Sequence, residues 1–202
     1  MSEFNISTPL SEGETRKFRV GDIIYISGTI FTARDEAHKR ALEWIAEGRQ
    51  IPINVEGLAM YHCGPLVQKI GKKWHIISAG PTTSSRMETF EYNFLKHFPV
   101  RVVIGKGGMG SKTTEAMKKY GAVYGAFTGG AGALAAESII EVEDVAWLDL
   151  GMSEALWSIR VENFGPIIIT IDSYGNNLYK ILMKKFEKNI KKIKQEFLNY
   201  SY

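Results

Sequence analysis

The sequence predicts an α/β domain built on a mixed sheet, and three observations carry that prediction. Short runs rich in β-branched and aromatic residues alternate, though not strictly, with stretches whose apolar residues recur at helical spacing. Glycine marks many of the junctions. The chain then closes on an amphipathic segment far longer than any strand.

Taken in order, residues 1–20 are polar and read as a loose N-terminal arm. The first strand is "GDIIYISGTIFTA" (21–33), interrupted at Gly28 as by a bulge or bend. "RDEAHKRALEWIAEG" (34–48) is a helix with Ala37, Ala41, Leu42, Trp44 and Ile45 on its apolar face and Gly48 as its stop. Short strands follow at 57–64 and 73–80. Met87, Phe90, Phe94 and Leu95 make 84–98 a helix. A strand at 100–105 leads to a helix at 111–121, and a strand at 122–127 leads to a glycine-rich turn that opens a helix within 128–139. Further strands are expected at 142–150, 157–164 and 166–172, with a turn at 173–177. The last segment carries an apolar stripe of Leu178, Ile181, Leu182, Phe186, Ile190, Ile193 and Phe197. The expected organisation is an arm (1–20), one globular domain (21–179) and a lysine-rich C-terminal helix (180–202).

With 202 residues, 45% apolar and 23% charged, the composition is that of a soluble globular protein. No apolar run approaches the ~20 residues that span a bilayer, and the first residues carry neither a basic nor an apolar leader. A cytoplasmic protein without a membrane partner is expected. The net charge of +3 is concentrated in the tail, where seven lysines face two glutamates from Leu178 onward. The body is slightly acidic and does not interleave aromatic with basic residues, which argues against nucleic-acid binding. The single cysteine, Cys63, allows no internal disulfide and cannot hold an iron–sulfur cluster alone. It reads as a small buried apolar residue, and no metal ligand is assigned to this chain.

Three motifs stand at strand–helix junctions. "SAGPTTSSRM" (78–87) sets Ser78, Thr82, Thr83, Ser84 and Ser85 around Pro81 and Arg86. A cation in the first turn of a helix opposes the macrodipole, so Arg86 has another reason to be there. Thr83 or Ser84 is placed to cap that helix; one cap needs one hydroxyl, which leaves Thr82, four residues before Arg86, to share an anion with it. "GKGGMG" (105–110) matches G-x-G-x-x-G between a strand and a helix, but the next strand ends in "TGG" rather than a ribose-binding acid, and "GSKT" lacks the spacing of a P-loop. What it offers is a general anion site made of a helix N-terminus and Lys106. A nucleotide-binding module using this turn, without catalysis, is the competing reading. In "TARDEAHKR", Arg34 stands where a strand hands over to a helix, with His38 one turn on; Asp35 or Glu36 is its alternative salt-bridge partner. Together Arg34, Thr82, Arg86 and Lys106 would suit a small dicarboxylate at the carboxyl edge of the sheet.

These residues also carry a resemblance. "SGTIFTARDEAHK", "MYHCGP", "AGPTTSSRM", "VIGKGGM", "AVYGAFTGGAGAL" and "GMSEALWSIRVENFGPIIITIDSYGNNLY" occur in that order. The chain resembles, from about Gly21 to Tyr179, the β subunit or carboxyl-terminal domain of class I iron–sulfur hydro-lyases of the fumarase and L(+)-tartrate dehydratase type. The resemblance implies a swivelling β/β/α domain and a partner α subunit that carries three cysteines and a [4Fe–4S] cluster. It further implies a heterotetramer or self-associating β chain, and reversible dehydration of a 2-hydroxy dicarboxylate, malate to fumarate foremost and L(+)-tartrate as the alternative. The family's substrate contacts correspond to Arg34, Arg86 and Lys106, with Thr82 as the catalytic candidate. "LVQKIGKKWHIIS" replaces a longer connection of the single-chain members and is expected at the rim of the site.

Overall fold

The structure, a computed structural model, describes residues 1–199. Five strands run parallel in neighbouring positions: β1 (Glu3–Ser7), β2 (Ile23–Thr32), β3 (Ala59–Tyr61), β6 (Val102–Gly105) and β7 (Val123–Ala126). β9 (Leu156–Ile171) is antiparallel and pairs with β2 along most of its length and with β7 near its end. The strands β2, β3, β6, β7 and β9 therefore close on themselves. β8 (Ile139–Ala146) pairs with β9 on the outside.

The alternation of side chains along these strands fills two separate cores. Ile24, Ile26 and Ile30 of β2, Tyr61 of β3, Ile104 of β6 and Ile167 and Ile169 of β9 belong to one, with Trp157 and Phe164. Phe31, Met60, Val103 and Tyr124 alternate with these and face the helices α2 (Asp35–Ala46), α3 (Glu88–His97) and α4 (Ser111–Tyr120), meeting Ala37, Ala41, Phe94, Leu95, Ala116 and Met117. A strand buried on both faces explains the continuous apolar run at 102–104. The helix α4 stops at Gly121, whose φ of 67° supplies the left-handed C-cap.

The expected α/β class, mixed sheet and C-terminal helix are present. Three segments differ from the reading of the sequence. The arm is not loose: β1 extends the sheet beside β2, a single turn α1 (Glu12–Thr15) is closed by a Ser11–Glu14 capping box, and Leu10 and Phe18 are buried. "LVQKIGKKWHIIS" forms a hairpin, β4 (Leu66–Ile70) against β5 (Lys73–Ser78), whose Trp74 packs edge-on to Trp157 at 5.4 Å. The two strands expected at 157–164 and 166–172 are one 16-residue strand, because β2 pairs with both halves across register shifts near Gly28. A short helix α5 (Gly132–Glu137) follows β7, and α6 (Leu178–Asn199) ends the description. Ile181, Leu182, Met183, Phe186, Ile190 and Ile193 of α6 are exposed. Phe197 of the stripe and the final residues 200–202 lie outside the described side chains.

Candidate active site

Neighbouring parallel strands end side by side at the edge where α/β folds bind ligands. Beyond β2, Ala33 donates to the Tyr61 carbonyl (3.1 Å), and beyond β3, His62 donates to the Ile104 carbonyl (2.8 Å). Arg34, His62 and Lys106 thus stand within two residues of the ends of three adjacent strands. The "GPTTSS" loop is laced into this edge by backbone bonds. The Thr82 amide donates to the His62 carbonyl (2.7 Å), the Lys106 amide to the Thr82 carbonyl (3.2 Å), and the Ser84 amide to the Lys106 carbonyl (3.1 Å). Thr82 is half-buried and Lys106 exposed.

Gly105 is what lets the loop approach so closely. A methyl group there would overlap the Ser84 hydroxyl, which meets His62 Nδ1 at 2.9 Å. Ser84 is therefore buried and committed inward, and Thr83, exposed at the N-cap position, makes no side-chain cap. Neither residue caps the helix as expected; a tight turn at Ser84–Met87 leads directly into α3.

The two arginines are held by carboxylates. Arg34 is half-buried, with its Nη2 3.1 Å from Glu154 and its Nη1 filling the space beside Gly64, where no side chain fits. Its partner is Glu154 rather than Asp35 or Glu36. Asp35 instead accepts from Arg86, through Nε at 3.2 Å and through Nη2, a two-pronged pair. Arg86 thereby reaches the first residue of α2, next to Arg34. The structure brings Thr82 and Lys106 into direct backbone contact and places Arg86 beside the Arg34 segment.

The glycine-rich turn is filled by the chain itself. Glu88 accepts hydrogen bonds from the amides of Gly110 (2.7 Å), Lys112 (3.1 Å) and Thr113 (3.3 Å) and from the Thr113 hydroxyl (2.6 Å). The N-terminus of α4, read from the sequence as a general anion site, already holds a carboxylate in the position a phosphate would take. Gly108 lies under the Tyr179 ring with no room for a side chain. Asn177 donates to the Met109 carbonyl (3.1 Å) and to Thr114 (3.0 Å). Gly105, Gly108 and Gly110 of "GKGGMG" serve these internal approaches and Gly107 supplies a positive φ, and the nucleotide-binding alternative loses its site.

Sequence reasoning missed what lies under this edge. His38, His62 and Glu91 are fully buried around one point. Burial pushes His62 below its ordinary pKa. It acts in the opposite sense on Glu91, but the two imidazoles outweigh it and hold the carboxyl down at about 2. The three residues are far apart in sequence and share no spacing motif. Cys63 is buried after β3, as expected, and burial pushes its thiol up to about 12.

Two concavities of about 470 Å³ each lie elsewhere. One runs along Trp74, His75 and residues 140–145, and the other along residues 50–56 and Phe98. Arg34, Thr82, Arg86 and Lys106 line neither. Arg86 and Lys106 are exposed and Arg34 and Thr82 half-buried, so the candidate site lies open at the edge of the sheet.

Comparison with known proteins agrees with the motifs. Residues 1–182 match the family model described as Fumarase C-terminus. The chain is 43% identical over 195 residues to the L(+)-tartrate dehydratase subunit beta of Escherichia coli (strain K12), covering 96% of both chains. It is 42% identical over 177 residues to a putative L(+)-tartrate dehydratase subunit beta of Methanocaldococcus jannaschii, covering 87% of this chain and 91% of that one. A putative fumarate hydratase class I of Geobacillus stearothermophilus is 38% identical over 94% of this chain and 36% of its own length. No helix among the described residues is long and apolar enough to cross a membrane. The chain belongs to the Fumarase C-terminus family of hydro-lyase proteins.

Proposed function

We propose that this chain is the β subunit of a hydro-lyase, and that it supplies the carboxylate-binding half of a site for reversible dehydration of a 2-hydroxy dicarboxylate. The observation that carries the reading is the open carboxyl edge, where Thr82 and Lys106 are laced together and Arg86 is delivered beside Arg34. An edge with three cations and no enclosing wall suits a partner that closes it. The relatives' designation as subunit beta supports an α partner.

Dehydration removes a weakly acidic proton next to a carboxylate and expels hydroxide from the adjacent carbon. Arg34 and Arg86 would grip the carboxylates in two-pronged fashion. With Lys106 they would stabilise the charge that builds on the carboxylate as the proton leaves. To bind substrate, each arginine keeps its present carboxylate partner, Glu154 or Asp35, as an orienting counter-ion and turns its remaining N–H groups to the ligand. Thr82 is the proton-transfer candidate. A hydroxyl is a weak base, so it acts under the field of the three cations or passes the proton on to the partner.

The family resemblance implies a [4Fe–4S] cluster. Residues of this chain do not fit it: its sole thiol, Cys63, is buried and held protonated, whereas cluster ligands are thiolates in sets. The cluster is therefore assigned to the α subunit.

Malate to fumarate is the reaction expected from the sequence. L(+)-tartrate is favoured as substrate by the names of the relatives that match over nearly their full length. The test is to co-express the chain with its α subunit, reconstitute anaerobically, and compare kcat/KM for malate, fumarate, L(+)-tartrate and a methylated relative. Turnover is expected only in the complex, with one of these dicarboxylates preferred. Turnover by the isolated chain, or none of the panel turned over by the complex, would overturn the proposal.

A further inference from the structure

The buried trio under the active edge has the chemistry of a metal centre. The Arg34 carbonyl lies 2.7 Å from His38 Nδ1, and a carbonyl only accepts, so Nδ1 carries a hydrogen and, in the neutral ring, Nε2 carries a lone pair. His62 Nδ1 faces the Ser84 hydroxyl at 2.9 Å, which likewise turns His62 Nε2 inward. Both Nε2 atoms point at Glu91 Oε2, from 3.6 Å and 3.3 Å. His38 Nε2, His62 Nε2 and both Glu91 oxygens are buried and have no hydrogen-bond partner among the described residues. Four acceptor atoms so placed require a cation among them, either protons or a metal ion.

The distances favour a metal. Charge-assisted N–H···O bonds shorten to about 2.7–2.9 Å, and the observed separations are well beyond that. Ligand atoms about 2.0–2.1 Å from a tetrahedral ion lie roughly 3.4 Å from one another, a value between the two observed separations. The surroundings agree. A carbonyl on the outer nitrogen is the usual device that orients a metal-bound histidine. Phe94 lies tilted against His38 at 4.8 Å and Phe90 stacks on it at 6.3 Å between ring centres, and the trio is fully buried.

We propose that His38, His62 and Glu91 bind one divalent transition-metal ion, zinc by ligand type, with the second Glu91 oxygen available as a fourth ligand. The centre is structural and independent of the assigned reaction. It joins α2, the end of β3 and α3, and through the Arg34 carbonyl, the Thr82–His62 bond and the Ser84 hydroxyl it fixes the loops that carry the active edge.

The test uses the full chain without an affinity tag, produced in zinc-supplemented medium and analysed by elemental mass spectrometry. About one zinc per chain is expected. Removing it with a chelator should lower Tm by several degrees, and adding Zn²⁺ should restore it. Co²⁺ in its place should give the intense visible absorption of a tetrahedral site. Glu91→Gln and His62→Gln should each lose the metal, while a variant lacking the exposed His75 and His97 should keep it. Should the buried variants not fold, the wild-type measurement still decides. Wild-type chain that holds no stoichiometric metal and whose Tm ignores Zn²⁺ would overturn the proposal and leave a cluster held by protons. Zinc retained in full by a folded Glu91→Gln chain would equally overturn it.

Discussion

The Glu88 carboxylate accepts the Gly110 amide at 2.7 Å, so an acid from the first turn of one helix closes the N-terminus of the next. Four donors depend on that one side chain. Glu88→Ala is expected to cost about 2 kcal/mol, the upper end for a lost cap, with the charge term adding to the hydrogen bonds. Glu88→Gln should cost less. Urea unfolding measures both, and neither the wild type nor a variant should retain a nucleotide. A change within about 0.5 kcal/mol for Glu88→Ala would show that the turn stands without it.

Asp35 is the counter-ion that holds Arg86, and the pair is half-exposed. Such pairs contribute about 0–1 kcal/mol to stability, so Asp35→Asn should leave the unfolding midpoint nearly unchanged. Its effect should be on substrate. A guanidinium no longer oriented should raise KM for the dicarboxylate several-fold with kcat less affected. Steady-state kinetics of the αβ complex check this, and an unchanged KM would remove Asp35 from the site.

Thr82 and Thr83 are adjacent but should behave differently. Thr82→Val keeps the shape and removes the hydroxyl, and should lower kcat by about 10²–10⁴-fold, the range for a lost proton-transfer group. Thr83 is exposed and caps nothing. Thr83→Val should leave kcat intact and stability within about 0.5 kcal/mol. Equal kinetic effects from the two changes would refute the role given to Thr82.

Gly105 and Ser84 should be energetically coupled. Gly105→Ala drives a methyl into the Ser84 hydroxyl, whereas the next nearest atoms, on His62, are at 3.3 Å. Overpacking of this kind costs roughly 1–3 kcal/mol. Ser84→Ala makes room for that methyl, so the double variant should be about 1 kcal/mol or more better than the sum of the single changes. Additive effects in the cycle would mean that the clash is relieved elsewhere.

What was legible in the sequence is what local patterning dictates. The helix ending before Gly48, the left-handed stop at Gly121 and the break at Gly28 all follow from backbone freedom that glycine alone offers freely. The six motifs in order were enough to identify the family. The misread segments are those whose fate depends on partners distant in the chain. β1 alternates Phe4 and Ile6 with polar residues, a strand signal obscured by the polarity of an edge position. The gap at Gly165 between two expected strands is one that β2 spans by pairing with Phe164 on one side and Ile167 on the other. Glu88 carries no motif of its own, and its reach to Gly110 exists only once two helices pack. His38, His62 and Glu91 were unreadable as a set because three strand and helix ends had to meet before the trio existed.

The most direct test of the central claim is the structure of the αβ complex with a 2-hydroxy dicarboxylate bound. The account predicts ligand carboxylates within hydrogen-bonding distance of the Arg34 and Arg86 guanidinium groups and of Lys106 Nζ, with Thr82 Oγ1 facing the carbon that loses its proton. A ligand bound in the complex without contact to these four side chains would contradict it.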